Sequence, residues 1–153
     1  MVDGIAGLSF VRDMIKQLDK WQPKNGGKKP TITAQWEKKV VGFANSNYDE
    51  IIISLDSENP RIFSLISEIK FGEFKYDWLH DISITLDIRT GQSEKRVLQL
   101  VNEVMRILKN NVVSTINNNE YVQILPGNVV SLNDEYLNLY RYTIDVDAIR
   151  FNP

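Results

Sequence analysis

Cysteine is absent from the 153 residues, and histidine occurs once, as His80. Without a thiol there are no disulfides, thiol nucleophiles or thiolate metal sites. One imidazole also cannot build a zinc site that needs several. His80 stands between Trp78 and Asp81 with no nucleophile near it in sequence, and it reads as a strand-end residue rather than a general base. No excess of basic charge is present: 18 Lys and Arg face 20 Asp and Glu, a formal net charge of -2. General nucleic-acid and membrane-surface binders usually carry a large basic excess, so neither class is expected. No apolar run approaches membrane-spanning length. The N-terminus lacks a basic start followed by an apolar core, so no secretory signal is expected. No internal repeat or domain boundary shows.

What is present is an ordinary globular composition, 42% apolar and 25% charged, long enough for one domain, residues 1–153, with a proper core. The most regular stretch is DISITLDIRTGQSEKRVLQLVNEVMRIL, residues 81–108. Ile82, Ile84, Leu86 and Ile88 alternate with Ser83, Thr85, Asp87 and Arg89, the pattern of a strand with one buried and one wet face. Val97, Val101, Val104 and Leu108 then fall on one helical stripe, widened by Leu98, Leu100, Met105 and Ile107. Arg96, Gln99, Glu103, Arg106 and Lys109 are expected to face water. Ser93 is placed to cap this helix, because its hydroxyl can accept from first-turn amides. Strand, turn and helix in that order can cradle phosphate. However, Thr90-Gly91-Gln92-Ser93 has one glycine and no Gly-Lys-Ser/Thr ending, so the stretch reads as scaffold.

Upstream, Leu8, Val11, Met14, Ile15 and Leu18 predict an amphipathic helix that ends before Pro23. QPKNGGKKP reads as a flexible connection. Strands are expected around residues 32–38 and 51–55, the second more buried. NPRIFSLISE is open between a short helix and an irregular passage. EIKFGEFKYDWLHDISITLDIRT gives one or two strands, and an Asn-rich turn with a short extended piece follows the second helix. Near the end, Tyr140, Tyr142, Ile144, Val146 and Ala148 alternate with Arg141, Thr143, Asp145 and Asp147. The fold class is α+β, with two principal helices packed on one face of a mainly antiparallel sheet.

Three constellations bear on chemistry. Asp145 and Asp147 share a strand face, close enough to hold a divalent cation, and Asp87 joins them if its strand is adjacent. A solvated face with Arg89, Arg141 and Thr143 as neighbours accounts for them more simply. Asp56 followed by Glu73-Phe74-Lys75 matches the acidic residue and Glu-x-Lys of Mg-dependent restriction-endonuclease-like nucleases, in which two carboxylates hold the metal and the lysine stabilises developing charge. Glu68-Ile69-Lys70 gives the same tripeptide five residues earlier, and the basic DNA-binding face is missing. Lys24, Lys28 and Lys29 form the one basic cluster, suited to phosphates or an acidic partner surface, with no interleaved aromatics for base stacking. No catalytic residue, metal site or cofactor is assigned.

Taken together, DISITLDIRT running into SEKRVLQLVNEVMRIL, the Asn- and Gly-punctuated passage after it, and the closing NDEYLNLYRYTIDVDA resemble the tail terminator (tail completion) proteins of long-tailed bacteriophages and related archaeal viruses. The helix ending at Trp21 and KPTITAQWEKK also look like the start of such proteins, whereas residues 42–70 match them least. The resemblance implies a non-enzymatic α+β subunit of the virion, assembled in the host cytoplasm into a ring, typically a hexamer. Such a ring caps the tail tube and joins it to the head-completion (connector) protein at the neck. DNA passes through its lumen without specific binding, and no membrane is involved. Another neck component, a head-completion or minor tail protein, is the nearest alternative. The nuclease using Asp56, Glu73 and Lys75 is the alternative from a different class. Loops are where recognition is added to a rigid scaffold, so Lys24, Lys28 and Lys29, with the turn Asn117, Asn118 and Asn119, are the expected partner or subunit contacts.

Overall fold

A computed structural model of the chain describes residues 4–37, 49–70, 73–110, 121–133 and 139–151, with 63–70 and 73–77 described by backbone alone. Strands β1 (Thr31–Ala34), β2 (Asp49–Lys70), β3 (Glu73–Thr90), β4 (Tyr121–Ser131) and β5 (Tyr140–Phe151) form one sheet. Their spatial order is β1-β2-β3-β5-β4. Every pairing is antiparallel except β1 with β2. Helices α1 (Gly7–Gln17) and α3 (Glu94–Lys109) cover one face, and a single turn of helix, α2 (Pro23–Gly26), lies between α1 and β1. The expected α+β architecture is the observed one.

The alternation read in residues 82–88 sets the core. Ile82, Ile84, Leu86 and Ile88 are buried on the helix side, joined there by Ile51 and Ile53 of β2 and Ile144, Val146 and Ala148 of β5. Against them α1 sets Phe10, Val11 and Met14, and α3 sets Val97, Leu100, Val101 and Val104. Each such side chain contributes roughly 1.5–3 kcal/mol on leaving water. Ser93 caps α3 as expected, its Oγ accepting from Arg96 N at 3.1 Å.

Helix α1 has neither a side-chain cap nor an acidic residue in its first turn. Its cap comes from β2: Glu58 accepts Ala6 N at 2.8 Å and Gly7 N at 2.6 Å. The carboxylate thus satisfies two orphan donors at the positive end of the helix dipole. Gly7 permits this approach, since a Cβ there would lie 2.6 Å from the Leu55 methyls. His80 Nδ1 bonds the same carboxylate. A carboxylate only accepts, so Nδ1 carries the proton. His80 is therefore no strand-end residue. It is buried inside β3, opposite Pro60 and Arg150.

Other expectations are corrected. NPRIFSLISE is neither helix nor irregular: it continues β2, interrupted by register shifts at Leu55/Ser57, Ile62/Ser64 and Ser64/Glu68 that hide its period of two. Pro60 is tolerated because β1 pairs only with Glu50 to Ile53, which leaves that part of β2 on a sheet edge among the described residues. The strand expected over 32–38 stops at Ala34 and passes into a 3-10 turn, Gln35–Glu37. On α3, Leu98 is 45% exposed, whereas Glu103 is fully buried, and Arg96 is nearly so. The segment from Leu18 to Gly27 lies along that flank: Gly26 packs against the Glu103 Cβ, and Arg106 donates to Lys20 O at 3.1 Å. The opposite sheet face is also not uniformly wet, because Glu50, Ile52 and Asp87 are buried.

Val101→Asp should abolish cooperative folding, since an unpaired buried carboxylate costs several kcal/mol. Asn102→Asp, one residue away on the exposed side, should shift stability by no more than about 0.5 kcal/mol. Similar melting temperatures for the two variants would show the helix to be rotated from this orientation. Glu58→Gln, which replaces one accepting oxygen with a donor, should cost about 1–2 kcal/mol. It should also accelerate amide exchange at Ala6 and Gly7 before any other part of α1, and unchanged protection there would refute the cross-strand cap.

Candidate interaction surfaces

The basic cluster sits on a loop whose backbone is fixed from beneath. Pro23 starts α2, Gly27 closes it with φ 68°, and the Trp21 indole donates to Gly27 O at 3.0 Å. Arg96 of α3 completes the anchorage, donating to Gly26 O at 2.5 Å and Lys28 O at 2.6 Å while pairing with Asp49 at 2.9 Å. The guanidinium fork suits this work, because its donors diverge in one plane. QPKNGGKKP is therefore not a flexible connection. Its glycines supply turn geometry, and the tie that holds it comes from a residue about 70 positions away. The loop presents exposed Lys24 and Lys28, with Lys29 paired to Asp19 at 2.6 Å. Asn117, Asn118 and Asn119 lie outside the described residues.

On the face away from the helices, β3 and β5 bring the expected acidic residues together. Asp87 pairs with Thr143, Thr85 with Asp145, and Ser83 with Asp147. Ser83 donates to Asp147 at 2.6 Å, and the Thr85 hydroxyl lies between Asp56 and Asp145. Asp87 does not join a metal site, since Arg141 grips it through Nε and Nη2 at 2.8 Å each and Arg89 through Nη2 at 2.6 Å. Burial works to raise its carboxyl, but hydrogen bonds from Arg141 and Arg89, reinforced by their charges, hold it below the ordinary 3.8. Among the described residues, no group of three or more acidic or histidine side chains is placed to hold a metal.

The nuclease constellation does not assemble. Asp56 occupies the bulge of β2 that faces Ser83 and Ile84, whereas Glu73 and Lys75 open β3 at the far end of the hairpin, opposite Lys70 and Glu68. Lys75 precedes Ser83 by eight positions along the strand, about 26 Å at 3.3 Å per residue. That exceeds any shared metal site. The same register shows how far the hairpin extends: β5 ends opposite Leu79, so among the described residues Glu73 to Trp78 pair with β2 alone.

Strand β4 is an edge of the sheet. Five of the ten exposed large hydrophobics among the described residues fall on it or just after it: Val122, Leu125, Val129, Val130 and Leu132. Sequence reading missed this, because a short extended piece does not reveal whether a second strand covers it. The one available signal was an eleven-residue run, YVQILPGNVVS, without a charge.

No protein-family model matches the chain, and no curated protein matches it in sequence. Among solved structures, the fold is similar to that of a chain in "Virion of native gene transfer agent (GTA) particle", with a TM-score of 0.59 and 14% identity. The similarity covers 97% of this chain and 99% of that one. At such identity the likeness is one of fold. It spans the described sheet, both principal helices and the hairpin rather than a local motif.

Asp87 is held below its ordinary value, so its contribution to stability is complete above the unfolded carboxylate range and is lost as pH falls through the lower folded value. Asp87→Asn should therefore cost about 2 kcal/mol near neutrality, leaving two arginines half-satisfied. The gap between parent and variant should close as pH falls below the ordinary 3.8. Stability curves that stay parallel to the lowest pH would remove the clamp from the energetics.

Proposed function

We propose that the chain is a structural subunit of a tailed, phage-like particle, a tail terminator that forms a ring on the tail tube and meets the head-completion protein on its other side. The observation that carries this reading is the end-to-end fold likeness to a chain of a gene transfer agent virion. The resemblance of residues 81–108 and of the closing stretch 133–148 to tail terminators supports the finer assignment. A terminator has no reaction to perform, and its work lies in contacts. Two of the residues offered for chemistry have structural partners: His80 bonds the Glu58 carboxylate that caps α1, and Asp87 locks β3 to β5. Lys24 and Lys28, on a loop held in one conformation, meet a partner surface without the entropy cost of ordering. Ring closure by one repeated head-to-tail contact lets a modest pairwise interface build a stable cap. DNA crosses the lumen without specific binding.

Purified particles should contain this protein at the head-proximal end of the tail, in a copy number that fits a ring, by imaging and quantitative mass spectrometry. Deletion of its gene should leave heads and tails unjoined or tails of unregulated length. Absence from mature particles, with normal tails in the deletion, would refute the reading.

A further inference from the structure

The sheet ends in two edges of matching character. On one side β4 pairs only with β5, and its outer backbone groups face no strand among the described residues. A register shift at Pro126/Val129 interrupts that edge. Proline and a bulge are the usual devices for blunting an edge, and here they protect only its middle. Beyond them Val129 to Leu132 form a continuous, exposed, uncharged stretch, still tied to β5 through Leu132 N donating to Arg141 O at 2.8 Å. On the other side β1 spans four residues, Thr31–Ala34, also uncharged, and among the described residues it pairs only with β2. Trp36 stands exposed just after it. The rest of that side, the outer edge of β2, carries exposed Asp56 and Arg61 and suits pairing less well.

We infer that the partner of the β4 edge is the β1 edge of a second copy of this chain, so that the sheet continues from subunit to subunit. The inference rests on the reading of the chain as a ring subunit and supplies the contact that closes the ring. Charge matching favours it: neither four-residue stretch brings an ion out of water, and each offers backbone donors and acceptors with apolar side chains beside them. Strand direction favours it as well. β1 and β5 run the same way and β4 opposite to both, so a neighbour related by rotation about an axis along the strands sets its β1 antiparallel to β4. Full overlap of the two stretches places Val130 opposite Thr33. Val130 pairs with Thr143 and Thr33 with Ile52, which puts both on the face away from the helices, as a cross-strand pair requires. The contact joins two different patches, so it is heterologous and, when its rotation closes, builds a ring rather than a two-fold dimer.

The lack of native cysteine makes the test direct. Thr33→Cys/Val130→Cys protein, oxidised both at high concentration and within purified particles, should give a ladder of disulfide-linked multimers ending at the ring size. Its cross-linked peptides should join residues 31–34 to 129–132. Val130→Cys alone should give no dimer, and a mixture of the two single variants should give dimer only. Adding Leu132→Lys, a charge on the exposed edge, should erase the ladder while the melting temperature stays that of the parent. Dimers from Val130→Cys alone would reveal β4 paired with itself and overturn the inference. Protein found in particles as a ring, yet never linked between these segments, would overturn it while leaving the proposed function intact. The ladder formed by protein absent from particles would do the reverse. No linked species from either preparation also overturns it.

Discussion

Strand β3 is paired on both sides from Leu79 to Thr90, and the rest of the structure depends on that double pairing. A strand with two partners cannot slip by one residue without turning Ile82, Ile84, Leu86 and Ile88 out of the core and driving Ser83, Thr85 and Asp87 into it. The alternation therefore fixes the register of β2 and β5 together. It also fixes which face the helices cover. β1 and β4 inherit their places as edges from this arrangement, since β3 and its two neighbours fill the centre.

A small set of polar contacts then locks the layers. Asp49 receives Thr90, Gln92 and Arg96, which joins the start of β2 to the end of β3 and the first turn of α3. Arg96 carries that tie on to the loop with Lys24 and Lys28. Glu58 and His80 bind α1 to the sheet at one end, and Tyr121 donates to Asp13 at 2.5 Å, binding α1 to β4. In a low-dielectric setting such bonds are costly when incomplete, so they select one arrangement among many that would bury similar apolar area. His80 and Asp87, which the sequence offers as a candidate base and a candidate metal ligand, both belong to such contacts. Among the described residues the exposed features are a basic loop, the β2–β3 hairpin and two uncharged edge stretches, residues 31–34 and 129–132.

Legibility followed periodicity. Residues 81–108 were readable because each period runs unbroken against one partner layer, and the final strand for the same reason. Residues 59–68 were unreadable because bulges break the period of two and leave apolar positions at helix-like spacing, with Pro60 adding a false stop. Leu98, Glu103 and Arg96 depart from the helical period because that period describes one buried face, whereas the Leu18 to Gly27 segment covers a second flank. Glycines in QPKNGGKKP suggested freedom, and the anchorage by Arg96 was invisible at that separation. The pairing of Asp56 with Glu73 and Lys75 looked feasible along the chain and failed on the length of the hairpin.

The class of fold, the two principal helices, the cap at Ser93, the inward faces of β3 and β5, and the absence of thiol chemistry are all legible in the order of the residues. These depend on local propensity and on side-chain period, which are properties of neighbouring residues. Tertiary structure alone decided the order β1-β2-β3-β5-β4, the burial of His80 with Glu58, the clamp on Asp87, the separation of Asp56 from Lys75, and the identity of the free edges. Each of these joins residues far apart in the chain, where the outcome is set by which strands pair and what covers them.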